Sequence, residues 1–207
     1  MEFRYKGLVA QLERMQVTEE EIDRQLQRLE GQDTSEFTPE ELRQGVAETL
    51  QSYYDAQAEE ELLDKLIRQA ADTLDYEPSE LELTEGVKTQ MEAFAAQLTQ
   101  RNLTLEAYCS FMNTDEKTIR EDMRADCRSL LRIQKAMQEI ARLENLTAEK
   151  EDIDQLCQEI CRANKMTAEE FAEYYTEEMA QTLKETVLNN KALAFVRDHA
   201  VIMEAVG

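Results

Sequence analysis

The chain has 207 residues, 42% of them hydrophobic, with 45 acidic against 23 basic residues and a formal net charge of -22. That hydrophobic content sustains a core and excludes disorder as the main state. The charge repels phosphate backbones and anionic lipid, which disfavours nucleic acid and membrane surfaces as direct partners and favours basic proteins or peptides. With 5 Gly and 2 Pro there is little turn chemistry for many short strands, whereas Glu, Gln, Leu and Ala dominate as in helices. The fold class is all-α.

The N-terminus, Met1-Glu2-Phe3-Arg4-Tyr5-Lys6, lacks the apolar core of a signal peptide, and no run of about 18 apolar residues occurs, so a cytoplasmic protein is expected. Phe3 to Met15 is the one plausible strand: Phe3 and Tyr5 alternate with Arg4 and Lys6 before Gly7, Leu8, Val9 and Leu12. An isolated strand is unstable, so it must pair or lie extended on helices. Thr18 with Glu21 three residues on reads as a capping box that opens a helix carrying Ile22, Leu26 and Leu29 and ending at Gly31. Gln32 to Phe37 is a short polar loop.

A very long amphipathic helix is predicted from Thr38 to Tyr76. Thr38 and Glu41 form its capping box, Pro39 suits its first position, and Pro78 pushes Glu77 out of helical geometry. Its stripe is Leu42, Val46, Leu50, Tyr53, Tyr54, Ala58, Leu62, Leu66, Ile67, Ala70 and Leu74. At 1.5 Å per residue it would run roughly 57 Å, which predicts an elongated molecule built on a spine helix. Glu59, Glu60, Glu61, Asp64, Lys65 and Arg68 in its middle exclude a membrane span.

Beyond Pro78 a helix is predicted from Ser79 to Arg101, then a short helix opened by Thr104 and bearing Tyr108, Phe111 and Met112. Asn113 to Asp115 interrupt, and a long helix carries Ile119, Met123, Cys127, Leu130 and Leu131 on to Glu144. After Thr147 a helix presents Ile153, Leu156, Cys157, Ile160 and Cys161. Thr167 and Glu170 box a short helix with Phe171, Tyr174 and Tyr175, and a last long helix runs from Met179 through Val196 to Val201. Leu103-Thr104-Leu105-Glu106-Ala107-Tyr108 is echoed 63 residues later by Met166-Thr167-Ala168-Glu169-Glu170-Phe171. Each copy sits in a helix, short capped helix, returning long helix, which reads as a helical hairpin with an apolar tip. Two projecting arms on one spine follow, at residues 79–144 and 147–207, with 1–31 as strand and linker helix, all within a single domain of 1–207.

The chain offers no grouped, tuned acid and base, phosphate loop or nucleophile motif, so no enzyme activity and no cofactor are expected. The runs Glu59-Glu60-Glu61 and Glu177-Glu178 read as solvated helix faces. Cys109, Cys127, Cys157 and Cys161 fall on apolar helix positions as small hydrophobes; Cys157 and Cys161 share a face, but no second pair or histidine follows at metal-ligand spacing. His199, the lone histidine, reads as a surface or helix-end residue.

The order Tyr5-Lys6-Gly7-Leu8, then Val17-Thr18-Glu19-Glu20-Glu21-Ile22-Asp23, then Ser35-Glu36-Phe37-Thr38-Pro39-Glu40-Glu41-Leu42-Arg43 resembles trigger factor at its strand, linker helix and spine-helix start. Leu62-Leu63-Asp64-Lys65-Leu66 before the Pro78 break, the two arm units and Lys191-Ala192-Leu193-Ala194-Phe195-Val196 extend the resemblance over the whole chain, to that family's C-terminal chaperone domain. The resemblance implies a helical body with two arms around a concave surface that holds unfolded polypeptide. Two departures stand out. Only Gln32 to Phe37 occupies the place of the family's prolyl isomerase domain, and the ribosome-docking Gly-Phe-Arg-x-Gly-Lys loop has no counterpart before Phe3.

The expected function is an ATP-independent holdase for apolar segments of unfolded or nascent chains, with a scaffold for one defined basic partner, such as a ribosomal protein, as the alternative. The candidate binding residues are Leu103, Leu105, Tyr108, Phe111 and Met112 at one tip and Ile160, Met166, Phe171, Tyr174 and Tyr175 at the other. They lie where chains reverse and burial is hard to complete, methionine suits varied apolar ligands, and an acidic rim keeps such a surface soluble. Incompletely covered arms also favour self-association, and hence a homodimer.

Overall fold

The computed structural model describes residues 2–29 and 36–206, with the side chains of Ala205 and Val206 left aside. The helix end expected at Gly31 and most of the loop expected at Gln32 to Phe37 lie outside the described residues. The elements run β1 (Val9–Arg14), α1 (Glu19–Leu29), α2 (Pro39–Thr73), α3 (Glu80–Gln100), α4 (Leu105–Met112), α5 (Glu116–Leu143), α6 (Lys150–Asn164), α7 (Ala168–Glu173), α8 (Glu177–Asp198) and β2 (Val201–Val206). The helical class expected from composition is the class observed. Among the described residues no helix is long and apolar enough to cross a membrane.

The chain packs as two units, one of residues 1–5 and 67–195, the other of residues 6–66 and 196–207. In the second unit β1 and β2 pair in parallel, Val9 opposite Val201 and Leu12 opposite Glu204. A parallel pair needs a long crossover, and here it is nearly the whole chain. Ala10 and Leu12 face inward while Val9 points to solvent. Gly7 sits at φ 63° just before β1, a conformation costly for other residues, and its amide donates to the His199 carbonyl at 2.8 Å. The strand is thus shorter than Phe3 to Met15, and the last helix stops at Asp198 instead of reaching Val201. Val201 instead opens β2, because a partner strand lies at the other end of the sequence.

Caps set the helix starts. Thr18 and Glu21 exchange hydrogen bonds, as do Thr38 and Glu41. The same reciprocal pair holds Ser79 with Glu82 and Thr167 with Glu170, each satisfying two otherwise orphaned amides. Thr104 and Asp115 cap α4 and α5 by accepting single amide bonds.

Helix α2 is the longest at 35 residues and ends at Thr73, a turn earlier than expected. Its inward stripe is nearly as read: Val46, Ala58, Leu62, Leu66, Ile67 and Ala70 are buried, but Tyr53 is exposed. Its last turn contains no basic residue. Arg132 of α5 takes that role, donating from Nη1 to the Tyr76 carbonyl at 2.6 Å and from Nη2 to the Ala71 carbonyl at 2.9 Å.

In the first unit α3 and α5 pack along each other around Leu83, Val87, Met91 and Cys127, with Leu105, Ile119, Met123 and Leu131 against that cluster. Gly86 permits the close approach: a Cβ there would stand 3.0 Å from Cys127 Sγ. Cys127 is buried and its thiol pKa is pushed up by burial; Cys109, Cys157 and Cys161 are half-buried. Lys191 of α8 reaches the Thr147 carbonyl at 2.9 Å and pairs with Asp152 of α6. His199 is exposed just past the end of α8.

Candidate functional site

Asn113 and Lys165 close α4 and α6 in the left-handed conformation, with φ of 52° and 54°. Such a C-cap reverses the chain within one or two residues. The short helices α4 and α7 therefore occupy reversals between long helices, where few neighbours remain to cover their side chains.

At the α4 reversal the candidate residues divide. Tyr108 turns inward, meeting Phe94 of α3 edge to face with ring centroids 5.1 Å apart, and Leu105 packs on the α3–α5 core. Phe111 is 85% exposed, and Met112 and Leu103 are also on the surface. Helical spacing does not explain the split, since Tyr108 and Phe111 lie only about 60° apart around the axis; the covering ring of Phe94 on α3 reaches Tyr108, while Phe111 stays in solvent.

The α7 reversal divides in the same way. Phe171 is buried at 9% exposure, its ring edge-on to that of Tyr175 at 6.2 Å. Tyr174 is 63% exposed and Tyr175 45%. Ile160 and Met166 are half-buried, and Met166 is tied down by its amide bond to the Cys161 carbonyl. Phe171 thus anchors its short helix, and the two tyrosines supply the open surface.

One further concavity, of mixed polar and apolar lining, was not read from the sequence. Between α3 and α5 a groove of about 430 Å³ is lined by Phe94, Met123 and Leu130 together with Arg68, Gln90 and Gln97. Leu130, beside Leu131 on α5, is exposed. The signal was the adjacent pair itself, because consecutive helical residues point about 100° apart and cannot both enter one narrow seam. Two large pKa displacements fall on hydrogen-bonded structural pairs. Glu21, holding the Tyr54 hydroxyl and the Thr18 amide, is pulled down to about 2. Tyr5 is pushed up to about 12 by burial and by its hydrogen bond to Glu144.

A mainly helical domain with one long helix and two capped short helices at chain reversals is the class that these elements define. Residues 38–198 match the family described as the bacterial trigger factor protein C-terminus, and the chain belongs to that family. It is 22% identical over 174 residues to trigger factor of Acetivibrio thermocellus, covering 84% of this chain and 41% of that protein. It is 28% identical over 166 residues to trigger factor of the Onion yellows phytoplasma, covering 80% and 38%. The chain therefore spans about two fifths of the length of these curated relatives. A solved structure of trigger factor domains from Thermotoga maritima superposes with a TM-score of 0.57 at 14% identity, over 74% of this chain and 90% of that one, a likeness of fold.

Proposed function

We propose that this chain is an ATP-independent holdase that captures apolar segments of unfolded or nascent polypeptides at its two helical reversals. The observation that carries the reading is the pair of open apolar surfaces, Leu103, Phe111 and Met112 on one reversal and Tyr174 and Tyr175 on the other, on a strongly acidic chain of the trigger factor C-terminal family. Large exposed apolar side chains cost solubility unless they serve binding. Aromatic and methionine side chains provide area that adapts to many sequences, and the net charge of -22 keeps the loaded and unloaded forms apart in solution. Capture of this kind uses no nucleotide and no catalytic group. Only Glu30 to Thr38 lie between α1 and α2, so no isomerase chemistry enters the reading.

A second reading is favoured by the charge alone: a helical scaffold that binds one defined basic protein, a ribosomal protein being the obvious chemistry. A panel of unrelated unfolded clients separates the two. Suppression of aggregation for most of the panel without ATP supports the holdase, whereas binding confined to a single basic protein supports the scaffold. Self-association, expected where apolar surface stays open, is read from sedimentation across a concentration series.

A further inference from the structure

The acidic character of the chain is not uniform. Helix α5 carries seven Lys or Arg against five Asp or Glu, while each of the other described helices holds more acidic than basic residues. Lys117, Arg120 and Arg124 lie at spacings of three and four on α5, hence on one face. Lys88 of α3 stands opposite, and the four cations, with one carboxylate, Glu121, among them, line a groove of about 320 Å³ together with Thr84 and Val87.

The two lysines hold their anionic partners loosely, and the two arginines hold theirs at hydrogen-bond distance. Lys88 meets Glu92 at 3.9 Å and Lys117 meets Glu121 at 3.5 Å, all four side chains well exposed. Arg120 pairs with Glu116 along its own helix, and Arg124, the most covered of the four, meets the exposed Glu80 at 2.6 Å. Exposed pairs of this kind contribute little to stability, because water and salt screen them. An incoming carboxylate can therefore replace Glu92 or Glu121 at little cost, whereas Arg124 stays fixed as an anchor.

We infer that the groove between α3 and α5, ringed by Lys88, Lys117, Arg120 and Arg124, is a docking site for a short acidic segment of another polypeptide. A peptide is favoured over a nucleic acid on two grounds. No aromatic ring lines the groove, so it lacks the stacking platform that single strands use. A long polyanion would also feel the repulsion of the whole chain, while a short segment at physiological salt feels charges only within about 8 Å. The inference stands apart from the holdase reading, because it depends on none of the apolar residues at the reversals.

The probe is a fluorescent oligoglutamate of about eight residues, roughly 26 Å when extended and so longer than the groove's cationic face. Its anisotropy is followed with the full chain at low salt. Because net charge opposes the association, any saturable binding must be local. Expected results are binding that fades as salt rises from roughly 0.01 M to roughly 0.15 M, and a loss of affinity of about tenfold or more in K117E/R120E. The control K150E/K184E makes the same change in net charge on other helices and should bind far better than K117E/R120E. K117Q/R120Q, which adds no repulsion, should give an intermediate loss and keeps the test valid if charge reversal unfolds the arm. No binding at low salt, equal losses in the control, or tighter binding of a single-stranded oligonucleotide would each overturn the inference. Suppression of client aggregation by K117Q/R120Q should be unchanged, which keeps this result distinct from any failure of the holdase reading.

Discussion

Arg132 donates a 2.6 Å hydrogen bond to the backbone carbonyl of Tyr76, three residues beyond the end of α2. With the bond to Ala71, whose carbonyl also accepts from the Leu74 amide, this one guanidinium ties the end of the helix to the segment beyond it and places a cation at the negative end of the helix dipole. Arg132→Met should keep the aliphatic packing and lose those bonds. The expected cost is about 1 to 3 kcal/mol in chemical denaturation, the penalty for taking the donor from the Tyr76 carbonyl and one of two donors from the Ala71 carbonyl. Arg132→Lys should recover only part of it, since an ammonium cannot fork between two carbonyls. A variant as stable as the parent would mean that water already satisfies them.

Tyr54 and Glu21 predict a pH dependence. The tyrosine hydroxyl donates to Glu21 Oε1 at 2.5 Å, and with Thr18 it lowers the carboxyl from 4.5 to about 2. A carboxyl whose folded pKa lies below its unfolded value stabilises the fold above the unfolded pKa, and that contribution disappears as pH falls through the folded one. The window is therefore between about pH 4.5 and pH 2. Tyr54→Phe removes the largest cause, so the Glu21 resonance in an NMR titration should move its midpoint upward, toward 4.5. An unchanged midpoint would assign the shift to Thr18 alone.

Gly86 and Cys127 form a small double-mutant cycle. Gly86→Ala should gain up to about 1 kcal/mol from helix propensity, but its Cβ meets the Cys127 sulfur at 3.0 Å. Overpacking of this kind costs about 1 to 3 kcal/mol. Cys127→Ala alone leaves a void in the α3–α5 core and should also destabilise. The double variant should be more stable than the sum of the two changes predicts, by about 0.5 kcal/mol or more in denaturant titrations. Simple additivity would show that α3 and α5 can part slightly without cost.

Much of the fold was legible because its signals are local. The boxes at Thr18 and Glu21, Thr38 and Glu41, and Thr167 and Glu170 each involve residues three apart, so the sequence contains the whole interaction. What escaped is non-local. Val201-Ile202-Met203 continues the apolar character of the preceding helix, and only pairing with Val9-Ala10-Gln11, almost the whole chain away, makes it a strand. The Arg132 cap comes from another helix in the same way. At the reversals the residue types were legible but their exposure was not: Phe171 and Tyr174 are three apart, yet one is buried and the other open. Spacing says that two side chains share a face; it does not say where the covering helix ends.

That division sets the last prediction. Replacing Phe111, Met112 and Tyr174 by serine should weaken binding of unfolded clients while leaving helix content and melting almost unchanged, because these side chains already stand largely in water; Tyr175 is kept, since its ring packs on Phe171. Single changes should act in modest steps, since affinity for varied apolar segments is spread over several contacts. Phe171→Ala should behave differently. Its ring is buried beneath α7, and losing a buried phenylalanine costs about 3 to 5 kcal/mol, although in so short a helix the effect can be confined to local unfolding of the reversal. Leu62→Ala and Leu66→Ala, at 1% and 0% exposure in α2, should each cost about 2 to 5 kcal/mol, with client affinity per folded molecule unchanged. The comparison is made by titrating one unfolded client against each variant below its melting temperature. If the serine variant holds clients as well as the parent does, the reversals are not the capture surface. The groove of Phe94, Met123 and Leu130 then becomes the surface to alter, and Leu130→Ser, exposed and on the wall of that groove, is the substitution that tests it.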